Sequence, residues 1–163
     1  MKMRQGFPGT FTMTSFVFMA LVFGFFSPGL AMKSQNSMED EIWKLEEAYF
    51  SHLYRADYEG VLALVHQQFL GWPDNLPNPT DRNESARFMK RLIPQPTACT
   101  VRIERYGFQQ SGDAVLTQYI LHVDCPEASG GIQTRSSRIT HTWVQLKGQW
   151  KLLGGMSFDI RPE

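Results

Sequence analysis

Residues 140–158 read THTWVQLKGQWKLLGGMSF, and the fold follows from how this stretch turns. Lys147-Gly148 is a two-residue hairpin signal, because both centre positions of such a turn favour positive φ. The flanks alternate as strands do, so Trp150, Leu152, Gly154 and Met156 are expected on one face. With a two-residue turn, Trp143 faces Leu152, His141 faces Gly154 and Ile139 faces Met156. The same alternation extends upstream. Thr100–Phe108 (TVRIERYGF) turns near Ser111-Gly112 into Ala114–Val123 (AVLTQYILHV), placing Val101 and Ile103 beside Thr117, Tyr119, Leu121 and Val123. Four strands are predicted, at about 97–108, 114–125, 134–146 and 149–160, with the third turn near Gly130-Gly131.

The first half reads differently. Residues 39–56 carry Ile42, Leu45, Tyr49, Leu53 and Ala56 at helical spacing. Acidic residues crowd the start, which suits the helix dipole. Asp57 is placed to cap a short second helix, YEGVLALV, with Glu59 in its first turn. A short strand, QQFLGW, precedes the loop PDNLPNPTD, where three prolines oppose regular structure. Glu84–Leu92 is a third helix with Phe88, Met89 and Leu92 on one side, ended by Pro94 and Pro96. Helices first and a strand meander last is the plan of an α+β fold with an antiparallel sheet.

The N-terminus is read separately. Lys2 and Arg4 precede an uncharged apolar run, Phe11–Phe26, then Ser27-Pro28 and Gly29-Leu30-Ala31. That is the layout of a secretory signal peptide cleaved after Ala31; the alternative is a retained anchor, for which the run is short of the ~20 residues a spanning helix needs. Export to a periplasmic or secreted destination is the expectation. Residues 32–37 form a polar leader and 38–163 a single domain. Without Lys2 and Arg4, the sixteen basic residues become fourteen against sixteen acidic, a net charge of −2. This lacks the basic footprint of a nucleic-acid binder.

Cys99 and Cys125 are the only two cysteines. Folding the chain at Ser111-Gly112 sets them almost directly opposite on one face, so a disulfide is expected, with two buried free thiols as the alternative. The four histidines, His52, His66, His122 and His141, lack ligand spacing, so no metal is expected. No Ser-His-Asp arrangement, phosphate loop or deaminase pattern is present.

Helix, helix, short strand, Trp-Pro loop, helix and a curved meander together resemble the nuclear transport factor 2-like superfamily. That superfamily is a cone-shaped fold including ketosteroid isomerase and polyketide cyclases of the SnoaL kind. The stretches DYEGVLALV, FLGWPDNLPNP and WVQLKGQWKLL are most similar to its uncharacterised branch, domain of unknown function 4440. The resemblance covers about residues 38–160. It implies that Tyr49, eight residues before Asp57, occupies the place of the isomerases' oxyanion-hole tyrosine. His141, two residues before Trp143, stands where they carry a protonated Asp. Where they place a general-base Asp before a proline, this chain has Trp72-Pro73, with Asp74 the nearest acid. Where many members carry an H-x-H pair, it has Gly154-Gly155-Met156.

Three readings follow. The first is a ligand-binding cone with little catalysis and no cofactor, its pocket lined by Tyr49, Trp72, Tyr119, His141 and Met156 and suited to a small apolar or weakly anionic ligand. The second is a lyase or isomerase acting on a small carbonyl compound through Tyr49, His141 and Asp74. The third is an interaction module using the outer sheet face, where Thr100, Arg102, Tyr106, Phe108, Leu116, Gln118, Ile120 and His122 are expected; a homodimer through that face is the natural partner. Each residue also has an ordinary role: Tyr49 and His141 as satisfied core groups, Trp72 as a cap, Trp143 and Trp150 as packing.

Overall fold

The computed structural model describes residues 35–161; the apolar run and the cleavage site lie outside them. Helix α1, Gln35–Tyr54, starts four residues earlier than expected. Gln35, Asn36 and Ser37, expected as leader, are therefore helical, and Glu39–Glu41 fall in the second turn. Ile42, Trp43, Phe50 and Leu53 are buried along one stripe. The helix stops before Ala56, which takes φ +53. The Asp57 N–H reaches back to the His52 carbonyl at 2.9 Å, the six-to-one bond of a left-handed C-terminal stop. Asp57 then caps α2, Tyr58–Leu64, accepting from the Gly60 N–H at 3.0 Å. Asp81 does the same for α3, Arg82–Leu92, accepting from the Asn83 and Glu84 N–H groups.

The strands are β1 Val65–Trp72, β2 Thr80–Asp81, β3 Thr100–Ser111, β4 Ala114–Pro126, β5 Ile132–Leu146 and β6 Gln149–Ile160. They form one sheet in the order β2-β1-β6-β5-β4-β3. The sheet is mixed rather than antiparallel, because β1 runs parallel to β6. A parallel neighbour requires a long connection, and here everything from β2 to β5 intervenes. The Lys147-Gly148 turn is as expected: Leu146 pairs with Gln149, and both turn residues have positive φ.

Two bulges change which side chains point inward. In β6, Trp143 pairs with Leu152 but Thr142 pairs with Gly154, so Leu153 is an extra residue. Beyond it His141 faces Gly155, and Ile139 faces Ser157, not Gly154 and Met156 as expected. Met156 is 58% exposed. In β3, the pairing shifts between Arg105 and Gly107. Phe108 therefore turns inward, pairing with Thr117 and packing 6.3 Å from Trp43, rather than outward. A one-residue slip exchanges the two faces, because side chains alternate with a period of two.

The β3 bulge also sets the disulfide. Ser111 pairs with Ala114, and that register alone carries Cys99 opposite Pro126; after the bulge Thr100 pairs with Asp124, which brings Cys99 to Cys125. The two are joined, across a sequence separation of 26. Closing such a loop stabilises by about 3 kcal/mol.

The inner face of β4–β6 carries Val115, Tyr119, Leu121, Val123, Ile139, Trp143, Trp150 and Leu152 against α1, with Val61, Phe69, Met89 and Ile93 completing the core. Each such side chain contributes roughly 1.5–3 kcal/mol on burial.

Candidate functional site: a cavity closed by a buried carboxylate–imidazole pair

A cavity of about 270 Å³ lies between α1, α3, the Pro73–Asn75 loop and the inner sheet face. Its walls are largely apolar, from Phe50, Leu53, Phe88, Met89, Leu121 and Ile139. Asp74, Asn75, Arg135 and Asp159 stand at the exposed end. Tyr49, His141 and Gly155 line the buried end. The bulge explains part of this shape. Gly155 lies against β5 so closely that a Cβ there would stand 2.3 Å from the Thr140 carbonyl oxygen and 2.4 Å from His141 Cδ2. Only glycine lets the His141 ring lie where it does.

Behind His141 sits Glu46, fully buried. Its Oε1 accepts from Thr117 Oγ1 at 2.6 Å and from Trp143 Nε1 at 2.7 Å. Its Oε2 accepts from the Tyr119 hydroxyl at 2.7 Å and lies 2.7 Å from His141 Nδ1. A carboxylate has about four lone-pair sites, and all four are occupied. Burial pushes the Glu46 pKa up, but the His141 imidazole and the donors outweigh it, and the net direction is down. Glu46 is thus held ionised inside the core, with each oxygen satisfied.

That arrangement orients His141. A carboxylate only accepts, so Nδ1 carries the proton. The Tyr119 oxygen is also 3.2 Å from Nδ1, but its own proton goes to Glu46. The ring stacks on Phe50 at 6.2 Å and meets the edge of Tyr49 at 5.5 Å. Among the described residues only Nδ1 of this ring is hydrogen-bonded, and His141 lines the cavity.

The other expected site residues fall as follows. Tyr49 lines the cavity; among the described residues its hydroxyl has the Met89 thioether, at 3.9 Å, as its one hydrogen-bond partner. Burial, with the Glu46 charge, pushes its phenol up to about 12. Asp74 lines the exposed end, and its backbone N–H points to Ser157 Oγ at 3.4 Å; no hydrogen bond links its side chain to Tyr49 or His141. Trp72 is at the rim, 43% exposed, with its indole N–H on the Leu76 carbonyl at 3.0 Å. Tyr119, expected in the pocket, lies behind it in the core, with its hydroxyl committed to Glu46. Met156, also expected inside, is carried to the rim by the β6 bulge.

Sequence reading missed Glu46. The signal was there: Glu46 lies four residues after Ile42, three before Tyr49 and four before Phe50, on the buried stripe itself. A charged residue in that register marks a buried network, but its partners come from β4 and β5, which the helix sequence does not reveal.

A second hollow, of about 430 Å³, lies outside the cone between the Trp72–Leu76 loop and Arg138, Thr140, Met156 and Phe158. Leu70, Trp72, Met156 and Phe158 are all exposed along this side.

Residues 42–157 match the family model of the SnoaL-like domain. No curated protein is significantly similar in sequence. Among solved structures, the association domain of C. elegans CaMKII is 15% identical, with a TM-score of 0.64 over 76% of this chain and 97% of that one. A ketosteroid isomerase-like protein from Erwinia carotovora atroseptica is 17% identical, with a TM-score of 0.61 over 74% and 95%. A nuclear transport factor 2-like superfamily protein from Salmonella enterica serovar Typhimurium is 12% identical, with a TM-score of 0.64 over 78% and 94%. At these identities the likeness is one of fold.

Proposed function

The chain belongs to the SnoaL-like domain family, and from that premise we propose that it is an exported protein that binds a small, partly apolar ligand inside the cone. Within the superfamily we place it nearest the uncharacterised domain of unknown function 4440, on the three stretches quoted above. The observation that carries the binding reading is the cavity of about 270 Å³, with apolar walls and the His141 imidazole among the few polar groups that line it. Ligand sites are mostly apolar with a few placed polar groups, and this volume is near the lower end of their range. Export rests on the signal-peptide pattern of residues 1–31.

Native mass spectrometry of protein purified from its own source tests the binding reading. A retained small molecule is expected, and Ser137→Phe, which pushes a ring into the cavity, should abolish it. Absence of any retained mass, with no thermal stabilisation across a fragment library, would count against a ligand cavity. The same spectrum reads export: a mass beginning at Met32 supports it, and an intact N-terminus opposes it.

The exposed apolar side at Leu70, Trp72, Met156 and Phe158 supports self-association through the outer face. A light-scattering mass of a dimer or larger, reduced to a monomer by Phe158→Glu, is the expected result. A monomer at micromolar concentration would remove this part of the reading.

A further inference from the structure

We propose that the exposed end of the cavity recognises the zwitterionic head of a free α-amino acid whose large apolar side chain fills the cavity behind it. Arg135 takes the carboxylate; Asp159 and Asp74 take the ammonium. The inference rests on the cavity reading above and adds the ligand's chemical class.

The charged end exists because of the β6 bulge. Strict alternation from the Lys147-Gly148 turn would put Met156 and Phe158 on the inner face. The extra residue at Leu153 leaves them 58% and 55% exposed and brings Ser157 and Asp159 to the inner face instead. Ser157 pairs with Ile139 and Asp159 with Ser137, and both line the cavity. Arg135 lies one inner-face step beyond Ser137 on β5 and lines it too. Arg135 and Asp159 are thus diagonal neighbours, with backbones roughly 7–8 Å apart, a gap that long side chains reach across. Asp74 comes to the same end from the loop after β1.

These charges are not used up by the fold. Asp159 Oδ1 accepts from Ser137 Oγ at 2.6 Å, which leaves its second oxygen. Arg135 donates to Gln133 Oε1 at a long 3.4 Å. Among the described residues no ion pair includes Asp74, Arg135 or Asp159. Arg135 is the one lysine or arginine among the described residues that line the cavity. Tyr54 stands at the same end: burial pushes its phenol up, Arg135 draws it down and Asp159 pushes it up, so both charges act on its hydroxyl.

Two acids and one guanidinium suit a head that carries both signs. A bare carboxylate meets Arg135 but also two carboxylates, and a bare amine meets the acids but also the guanidinium. Juxtaposed like charges cost affinity. A zwitterion avoids both conflicts. Its carboxylate matches the planar guanidinium fork, and its ammonium has three donors for Asp159, Asp74 and the Ser157 hydroxyl. At the exposed end these charges keep contact with water, while Phe50, Leu53, Phe88, Met89 and Ile139 surround the side chain. A volume of about 270 Å³ holds one such molecule, not a peptide.

The test is isothermal titration calorimetry of the purified protein with L-phenylalanine, phenethylamine and hydrocinnamate, which share one ring and differ in the head. Phenylalanine should bind about tenfold or more tighter than either. Arg135→Gln should erase its advantage over the amine, and Asp159→Asn its advantage over the acid. Both positions are exposed, so the variants should keep the wild-type urea midpoint. Glycine, which has the head without the side chain, should not bind measurably. Equal affinity for the three ring compounds, tighter binding of the amine or the acid, or variants that weaken all three alike would overturn the head-group assignment and leave the cavity reading standing. No binding by any of them would overturn the amino-acid class; the cavity reading is then judged by the retained-mass experiment alone.

Discussion

Replacing Glu46 by Gln isolates the buried network. The side chain keeps its size, so packing against Ile42, Trp143 and Tyr119 is preserved. Its amide oxygen can still accept from Thr117 and Trp143, now through neutral bonds. Its amide nitrogen, in the place of Oε2, points hydrogens at the Tyr119 hydroxyl and at His141 Nδ1. Tyr119 can rotate to accept; His141 must move its proton to Nε2. Hydrogen bonds to charged groups contribute about 1.5–3 kcal/mol each and neutral ones about 0.5–1.5, so four bonds weaken by roughly 1 kcal/mol apiece. Relief from burying a charge opposes this. The direction of the Glu46 pKa decides between them: it lies below the ordinary 4.5, so the carboxylate is better stabilised in the fold than in water.

The variant should therefore be less stable near neutral pH, by about 2–4 kcal/mol. A depressed carboxylate pKa gives stability that is present above the unfolded value and lost as pH falls through the folded one. The gap between wild type and variant should thus be full above about pH 5 and narrow progressively in acid. Urea unfolding of both proteins from about pH 7 down to about pH 3 measures it. A gap that stays constant with pH, or a variant more stable at neutrality, would refute the argument that the donors outweigh burial.

Other consequences are more local. Reducing the Cys99–Cys125 bridge should lower unfolding stability by about 3 kcal/mol, read from urea midpoints with and without reductant. Leu152→Ala, at a fully buried position opposite Trp143, should destabilise by about 2–5 kcal/mol in the same assay. Gly155→Ala forces its Cβ onto the Thr140 carbonyl and the His141 ring, so it should shift the His141 imidazole resonances more than those of His122 on the outer face. Trp143→Phe removes one donor to Glu46 and should destabilise by about 2–3 kcal/mol, with weaker acid protection of the carboxylate.

The sequence by itself determined the features whose physics is local. The Lys147-Gly148 turn, the Asp57 cap and the alternation of β4 and β5 each depend on a few neighbouring residues, and each is found where the pattern placed it; the first hairpin turns at Gly112-Asp113, one residue after the expected Ser111-Gly112. Those elements sufficed for the α+β cone, because turns of fixed length set the pairing of adjacent strands. What the tertiary structure alone decided lies beyond the bulges at Leu153 and in the Arg105–Gly107 stretch. A single inserted residue exchanges the two faces of everything after it, and no periodic pattern predicts where the ladder will yield. Met156 moved to the rim of the pocket, Phe108 turned inward against the core, and Gly155 replaced Gly154 beside His141 for that reason. Glu46 is the same case in the helix: its place on the buried stripe was legible, but a carboxylate is held there only by donors from two strands, 71 to 97 residues away, and only folding brings these together.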